Sequence, residues 1–152
     1  MKLNIETTDD LNIDFKPLKK TIKKHFIEIE KTRQTQRHDL EIDVHFADKP
    51  TMIQLNKDYR NKEYLTDVLS FSYLDGIREE ETLSGEMFIS LQKAQEQAIN
   101  KGNDIETELN YLISHGYLHI IGYLHENDEQ ELAMNKEEDW LLKHSIGKQI
   151  NR

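Results

Sequence analysis

Cysteine is absent from the 152 residues, so no disulfide framework can staple this chain. No apolar run approaches the ~20 residues that a membrane span requires. The opening "MKLNIETTDD" lacks the basic, then apolar, then small-residue order of a secretory signal. A cytoplasmic protein with no membrane partner is the expectation. Proline is scarce, at two residues, and glycine numbers six. No Pro/Gly/Ser linker, low-complexity tract or internal repeat divides the chain, so one domain spanning residues 1–152 is expected. With 36% hydrophobic and 32% charged residues, the composition is that of a well-solvated globular unit with a single core.

A net charge of -9 argues at first against a nucleic-acid partner, because neutralising phosphates takes Lys and Arg near the backbone. The charge is unevenly spread. Residues 1–62 hold 13 Lys+Arg against 11 Asp+Glu, whereas residues 63–152 hold 7 against 18. The basic excess sits in "KPLKKTIKKHF", which reads first as the solvated face of an amphipathic helix and second as a phosphate-binding surface.

The hydrophobic pattern gives the order β, α, β, α, β, β, α, α, α. "KLNIE" is a short strand. Leu18, Ile22, Phe26 and Ile29 then recur at helical spacing. "LEIDVHFA" alternates, with Leu40, Ile42, Val44 and Phe46 on one side. Asp48 caps a helix through "TMIQLNKDYR" with Pro50 in its first turn. "TDVLSFSY" and "EMFISL" are strands around the acidic loop "DGIREEETLSG". Three helices follow: one from Ser90 to Gly102, one from Asp104 to Gly122, and "NDEQELAMNKEEDWLLKHS". The fold class is α+β, a small mixed four-stranded sheet covered by about five helices.

The chemistry concentrates in "SHGYLHIIGYLHEND", residues 114–128. On a helix, His115 and His119 are i, i+4 neighbours roughly 6 Å apart along the axis, so both imidazoles reach one metal ion. His125 cannot join them if the helix continues, since six residues carry it about 9 Å further and some 240° around. Gly122 removes the obstacle: glycine enters the left-handed conformation without a Cβ clash, ends the helix and turns the chain back. Three imidazoles with a fourth position left to water describe a catalytic zinc site rather than a structural one. Bound zinc lowers the pKa of water towards ~7.

His-x-x-x-His-x-x-Gly-x-x-His is also the zinc spacing of metzincin peptidases, so peptide hydrolysis is the first rival. Those enzymes place a glutamate base directly after the first histidine; here that position is Gly116. A phosphodiester substrate asks instead for a cation beside the transferring phosphate, and arginine's planar fork suits that. Arg60 is the candidate.

Together, "HGYLHIIGYLH", "LNKDYR", "TDVLSF" and "SGEMFIS" resemble the YbeY family of bacterial rRNA maturation factors, single-domain zinc-dependent endoribonucleases. The resemblance implies one Zn²⁺ held by His115, His119 and His125, with Arg60 and His115 as the residues taking part in catalysis. It implies single-stranded RNA as substrate, 16S rRNA 3′-end maturation and ribosome quality control as the task, and the small subunit and its assembly factors as partners; no DNA partner is expected. Lys57, Arg60 and Asn56 are expected to meet the RNA. Two positions depart from the pattern. The aspartate usual before the third histidine is Leu124, for which Glu126 or Asp128 are the nearby substitutes, and the proline usual before Thr-Asp-Val-Leu-Ser-Phe is Leu65. The family's Gly-Asp-Ile reads Gly85, Glu86, Met87 and keeps its acid.

Asp67 and Ser70 read as the start of a strand, and Trp140 and Leu141 as pins of the last helix. His25, His38, His45 and His144 lack partner spacing and are expected to be surface or half-buried. A non-catalytic assembly factor in which zinc only staples the last two helices is the remaining alternative.

Overall fold

The computed structural model describes residues 1–7, 11–33, 40–74 and 83–152. Its elements are β1 (Lys2–Ile5), α1 (Lys16–Arg33), β2 (Glu41–Ala47), α2 (Lys49–Arg60), β3 (Val68–Ser72), β4 (Gly85–Ser90), α3 (Leu91–Lys101), α4 (Ile105–Ile120) and α5 (Asp128–Ile146). The expected α+β class, element order and mixed four-stranded sheet are all present, and element ends differ by one or two residues. The acidic loop expected between β3 and β4, and His38, lie largely or wholly outside the described residues.

The sheet runs β1-β2-β4-β3. β1 and β2 are parallel, with Leu3 opposite Ile42, and β2 and β4 are parallel, with Val44 opposite Met87. β3 is antiparallel to β4, with Ser70 opposite Met87. Each parallel pair needs a crossover, and α1 supplies the one between β1 and β2.

Alternation along β2 and β4 gives one more deeply buried face. Ile42, Val44, Met87 and Ile89 are at most 1% exposed, while Asp43, His45, Glu86 and Phe88 between them are half-buried. One core joins that face to Leu18 and Ile22 of α1, Leu109, Ile113 and Tyr117 of α4, and Leu141 of α5. Each such side chain contributes about 1.5–3 kcal/mol by leaving water. The opposite face meets α2, where the Tyr59 ring lies edge-on to Phe71 at 4.9 Å.

α4 is the central helix. Asp104 caps it, accepting from the Thr107 amide at 2.7 Å, and that bonding holds the Asp104 carboxyl below its ordinary value. Two glycines let α4 lie close on the sheet. A Cβ on Gly85 would stand 2.6 Å from Ile120 Cγ2 and 2.8 Å from the Phe71 carbonyl oxygen. One on Gly116 would stand 2.8 Å from Met87 Sδ and 3.0 Å from Ser70 Oγ.

Candidate metal centre

The chain reversal after α4 follows from its sequence. The Gly122 amide donates to the His119 carbonyl at 3.1 Å and the Tyr123 amide to the Leu118 carbonyl at 2.9 Å, the paired bonds that close a helix on a left-handed residue. Gly122 has φ 108°, which strains any side chain. His125 is thereby returned to the end of α4. Its ring centre is 4.7 Å from that of His119 and 5.5 Å from that of His115, and the ligand atoms of the three rings all lie within 4.8 Å of one another.

The orientation of two of the rings is set from behind. His119 Nδ1 is 2.9 Å from the Tyr123 carbonyl; a carbonyl only accepts, so Nδ1 carries the hydrogen and Nε2 keeps its lone pair. His115 Nδ1 is 3.1 Å from Glu138 Oε2, and an ionised carboxylate likewise only accepts. The two Nε2 atoms face each other at 3.1 Å. Two lone pairs so placed repel unless a proton or a cation lies between them. Burial, followed by the adjacent His115, pushes His119 down to about 4, so at neutral pH it offers a lone pair rather than a charge. Donor type, count and orientation fit a divalent ion such as zinc.

Glu138 is the member that sequence reasoning missed. It lies 23 residues beyond His115 on α5, is 1% exposed, and its second oxygen accepts from Arg152 Nη1 at 3.3 Å. Its signal was there: an acid on the stripe shared with Met134, Leu141 and Leu142, all buried, is out of place unless partnered. Glu126 and Asp128 do not take the place left by Leu124. Among the described residues no carboxylate joins the three histidines, and Leu124 is 46% exposed.

Arg60 is exposed at the end of α2, and its charge is among those holding His119 down, so it acts within electrostatic reach of the cluster. Lys57 is also exposed and pairs with Glu63 at 3.4 Å, a contact of little energetic weight. Asn56, expected to meet substrate, is instead inside. It is 1% exposed, and its Nδ2 donates to the Tyr64 carbonyl at 2.9 Å, which fixes the turn after Arg60. Asp67 accepts from the Val68 amide at 2.7 Å, as a strand start would have it.

The expectation of a surface or half-buried position for His25 is overturned. It is 3% exposed, with Nδ1 3.1 Å from the Tyr117 hydroxyl and Nε2 2.7 Å from Glu137. His25 lies on the buried stripe of α1 beside Ile22, where these two partners satisfy its polar atoms. His45 pairs with Glu86 at 3.0 Å, and His144 Nδ1 bonds the Trp140 carbonyl at 2.8 Å. Trp140 and Leu141 pack into the core as expected.

Gly116 bears on the peptidase rival. Its missing side chain would point at Met87 and Ser70 of the sheet, so a glutamate base has no room there. Fold and site define an α+β domain with a three-histidine group that could hold a metal ion. A family model described as endoribonuclease YbeY matches residues 3–145, and the chain belongs to that family. An endoribonuclease YbeY of Ureaplasma urealyticum is 40% identical over 110 residues, covering 72% of this chain and 70% of the relative. That of Mycoplasma mycoides is 32% identical over 150 residues, covering 94% and 88%. A solution structure from Thermotoga maritima matches with a TM-score of 0.56 at 23% identity, over 95% of this chain and 89% of that one, a likeness of fold.

Proposed function

We propose that this chain is a zinc-dependent endoribonuclease of single-stranded RNA that trims the 3′ end of 16S rRNA, serves ribosome quality control, and works on the small subunit with its assembly factors. The observation that carries the nuclease reading is the convergence of His115 and His119 through their Nε2 atoms at 3.1 Å, with His125 beside them. The relatives' printed names supply the substrate class. No helix among the described residues is long and apolar enough to cross a membrane, in keeping with a cytoplasmic site of action.

His115, His119 and His125 would hold a divalent ion, which would supply Lewis acidity and lower the pKa of water when bound. The chain does the rest. Glu138 and the Tyr123 carbonyl hold two imidazoles in the tautomer that leaves Nε2 free. Arg60 reaches from α2 to counter the charge that develops on the phosphate during hydrolysis. Lys57, one turn before it, meets the RNA backbone.

The test measures metal content and single-stranded RNA cleavage side by side for the parent, Arg60→Glu and His115→Ala. The reading expects one ion per chain and cleavage in the parent, loss of cleavage with retained metal in Arg60→Glu, and loss of both in His115→Ala. A folded, metal-free His115→Ala protein that still cuts RNA overturns it. Peptide cleavage by the zinc-loaded parent, with RNA left whole, would favour the peptidase alternative.

A further inference from the structure

The segment after α5 returns to the metal centre. The Asn151 amide donates to Asn103 Oδ1 at 3.0 Å, and Asn103 Nδ2 donates to the Asn151 carbonyl at 3.0 Å. This pair ties the segment to the turn between α3 and α4. Arg152 then lies over the Tyr111 ring, its Cζ 5.8 Å from the ring centre. Its guanidinium faces one turn of α5: Nη1 meets Glu138 Oε1 at 3.3 Å, and Nη2 meets Asp139 Oδ1 at 2.7 Å and the Asn135 carbonyl at 3.1 Å.

Glu138 explains why this matters. Its side chain is 2% exposed, and a buried carboxylate is strongly unfavourable unless paired and hydrogen-bonded. Its two oxygens divide the work, Oε2 receiving His115 Nδ1 and Oε1 receiving Arg152. Without the guanidinium, the histidine would be the only hydrogen-bond partner of the carboxylate side chain among the described residues, and nothing in the contacts above would hold its plane. The cavity of 360 Å³ beside the cluster has Tyr111, His115, His125, Glu138 and Arg152 on its wall, so this arginine and the ion site share one recess.

We propose that Arg152 is a positioning residue for the metal centre: it fixes the Glu138 carboxylate, which in turn holds His115 with Nε2 turned towards the ion. The proposal rests on the metal-site reading above and adds to it a residue outside the histidine motif. Partners that orient a metal-bound imidazole commonly change metal affinity 10–100-fold when removed.

Zinc affinity, read by competition with a chromophoric chelator, is compared in the parent, Arg152→Ala, Arg152→Lys and Asp139→Ala. Asp139→Ala removes the outer ion pair of Arg152 and leaves Glu138 untouched, so it reports mere pinning of the segment. The expected result is about tenfold weaker zinc binding in Arg152→Ala, partial recovery in Arg152→Lys and a change below about twofold in Asp139→Ala. A second measurement needs no metal. The His115 Nδ1 proton, followed by NMR in the metal-free protein, exchanges with water faster in Arg152→Ala than in the parent. Unchanged zinc affinity in Arg152→Ala, an equal loss in Asp139→Ala, or an unchanged exchange rate overturns the proposal. A parent that takes up no zinc sinks the metal-site reading, while the exchange comparison still decides what Arg152 does.

Discussion

Glu138 Oε2 lies 3.1 Å from His115 Nδ1, joining the middle of α5 to the helix that carries two of the three clustered imidazoles. The contact makes the candidate metal centre a tertiary feature rather than a local one. α4 and the turn after it present the ring nitrogens, but α5 decides how one of them points.

Substitutions at Glu138 are therefore expected to act on metal binding. Glu138→Gln keeps the shape and removes the charge, and is expected to weaken zinc binding about tenfold. Glu138→Ala also takes away the acceptor of Arg152 Nη1 and of the His115 Nδ1–H, while Arg152 Nη2 keeps Asp139 and the Asn135 carbonyl; the lost bonds add roughly 1–3 kcal/mol of destabilisation. Chelator competition and urea unfolding separate the two effects.

Acid should destabilise the metal-free protein through His119. The folded ring titrates at about 4 because burial, then His115, opposes its charge, whereas its ordinary value is 6.5. Between those pH values the unfolded chain binds more protons, so this ring's contribution to stability falls as pH drops from 6.5 to 4 and levels off below. The slope is at most ~1.4 kcal/mol per pH unit, and smaller here because the ring is partly exposed. Urea unfolding at pH 7, 6, 5 and 4 should show a decline that His119→Gln flattens; parallel curves for the two proteins would contradict the assignment.

Much of this site was legible in the chain itself. The caps Asp48, Ser90 and Asp104, the stop at Gly102 and the reversal at Gly122 are local matters, decided by residues within a few positions of each other, and the backbone follows them. What pairs across long stretches of sequence was not. Glu138 reaches His115 over 23 residues and Glu137 reaches His25 over 112, and periodicity on one helix says nothing about what the facing helix brings. The strand order β1-β2-β4-β3 is non-local in the same way. Asn56 was misplaced for another reason: it shares α2 with Arg60 but lies on the inward side of that helix.

The glycines under α4 differ in how much they can give. A Cβ at Gly116 meets the flexible Met87 thioether and the Ser70 hydroxyl, whereas one at Gly85 meets the Phe71 backbone carbonyl and Ile120. Gly116→Ala also gains about 1 kcal/mol of helix propensity, which offsets part of its crowding. Gly85→Ala is thus expected to be the more destabilising of the two, by about 1–3 kcal/mol. Because Ile120 adjoins His119, Gly85→Ala should lower zinc affinity as well. Thermal melts with and without zinc test both statements.

Arg60 separates metal binding from cleavage. Its charge opposes positive charge on His119, so Arg60→Glu removes a repulsion felt by a bound cation and should leave zinc affinity unchanged or raised. The same substitution takes away the group proposed to counter phosphate charge, and cleavage of single-stranded RNA should drop about 10²-fold or more. Parallel loss of metal and activity would mean that Arg60 works through the site's structure instead.

Leu124 offers the opposite experiment, a gain. Its side chain is 46% exposed next to His125, and no carboxylate among the described residues joins the three histidines. A carboxylate introduced there as Leu124→Asp replaces exposed apolar surface, so stability should change by less than about 0.5 kcal/mol. It also adds an anionic oxygen donor beside the third imidazole, a ligand type that zinc accepts. Zinc affinity should therefore rise, and RNA cleavage with it if the site of the parent is limited by how firmly the ion is held. Tighter zinc with an unchanged cleavage rate would show that ion retention does not limit the parent, and unchanged zinc affinity would show that the residue before His125 points away from the ion.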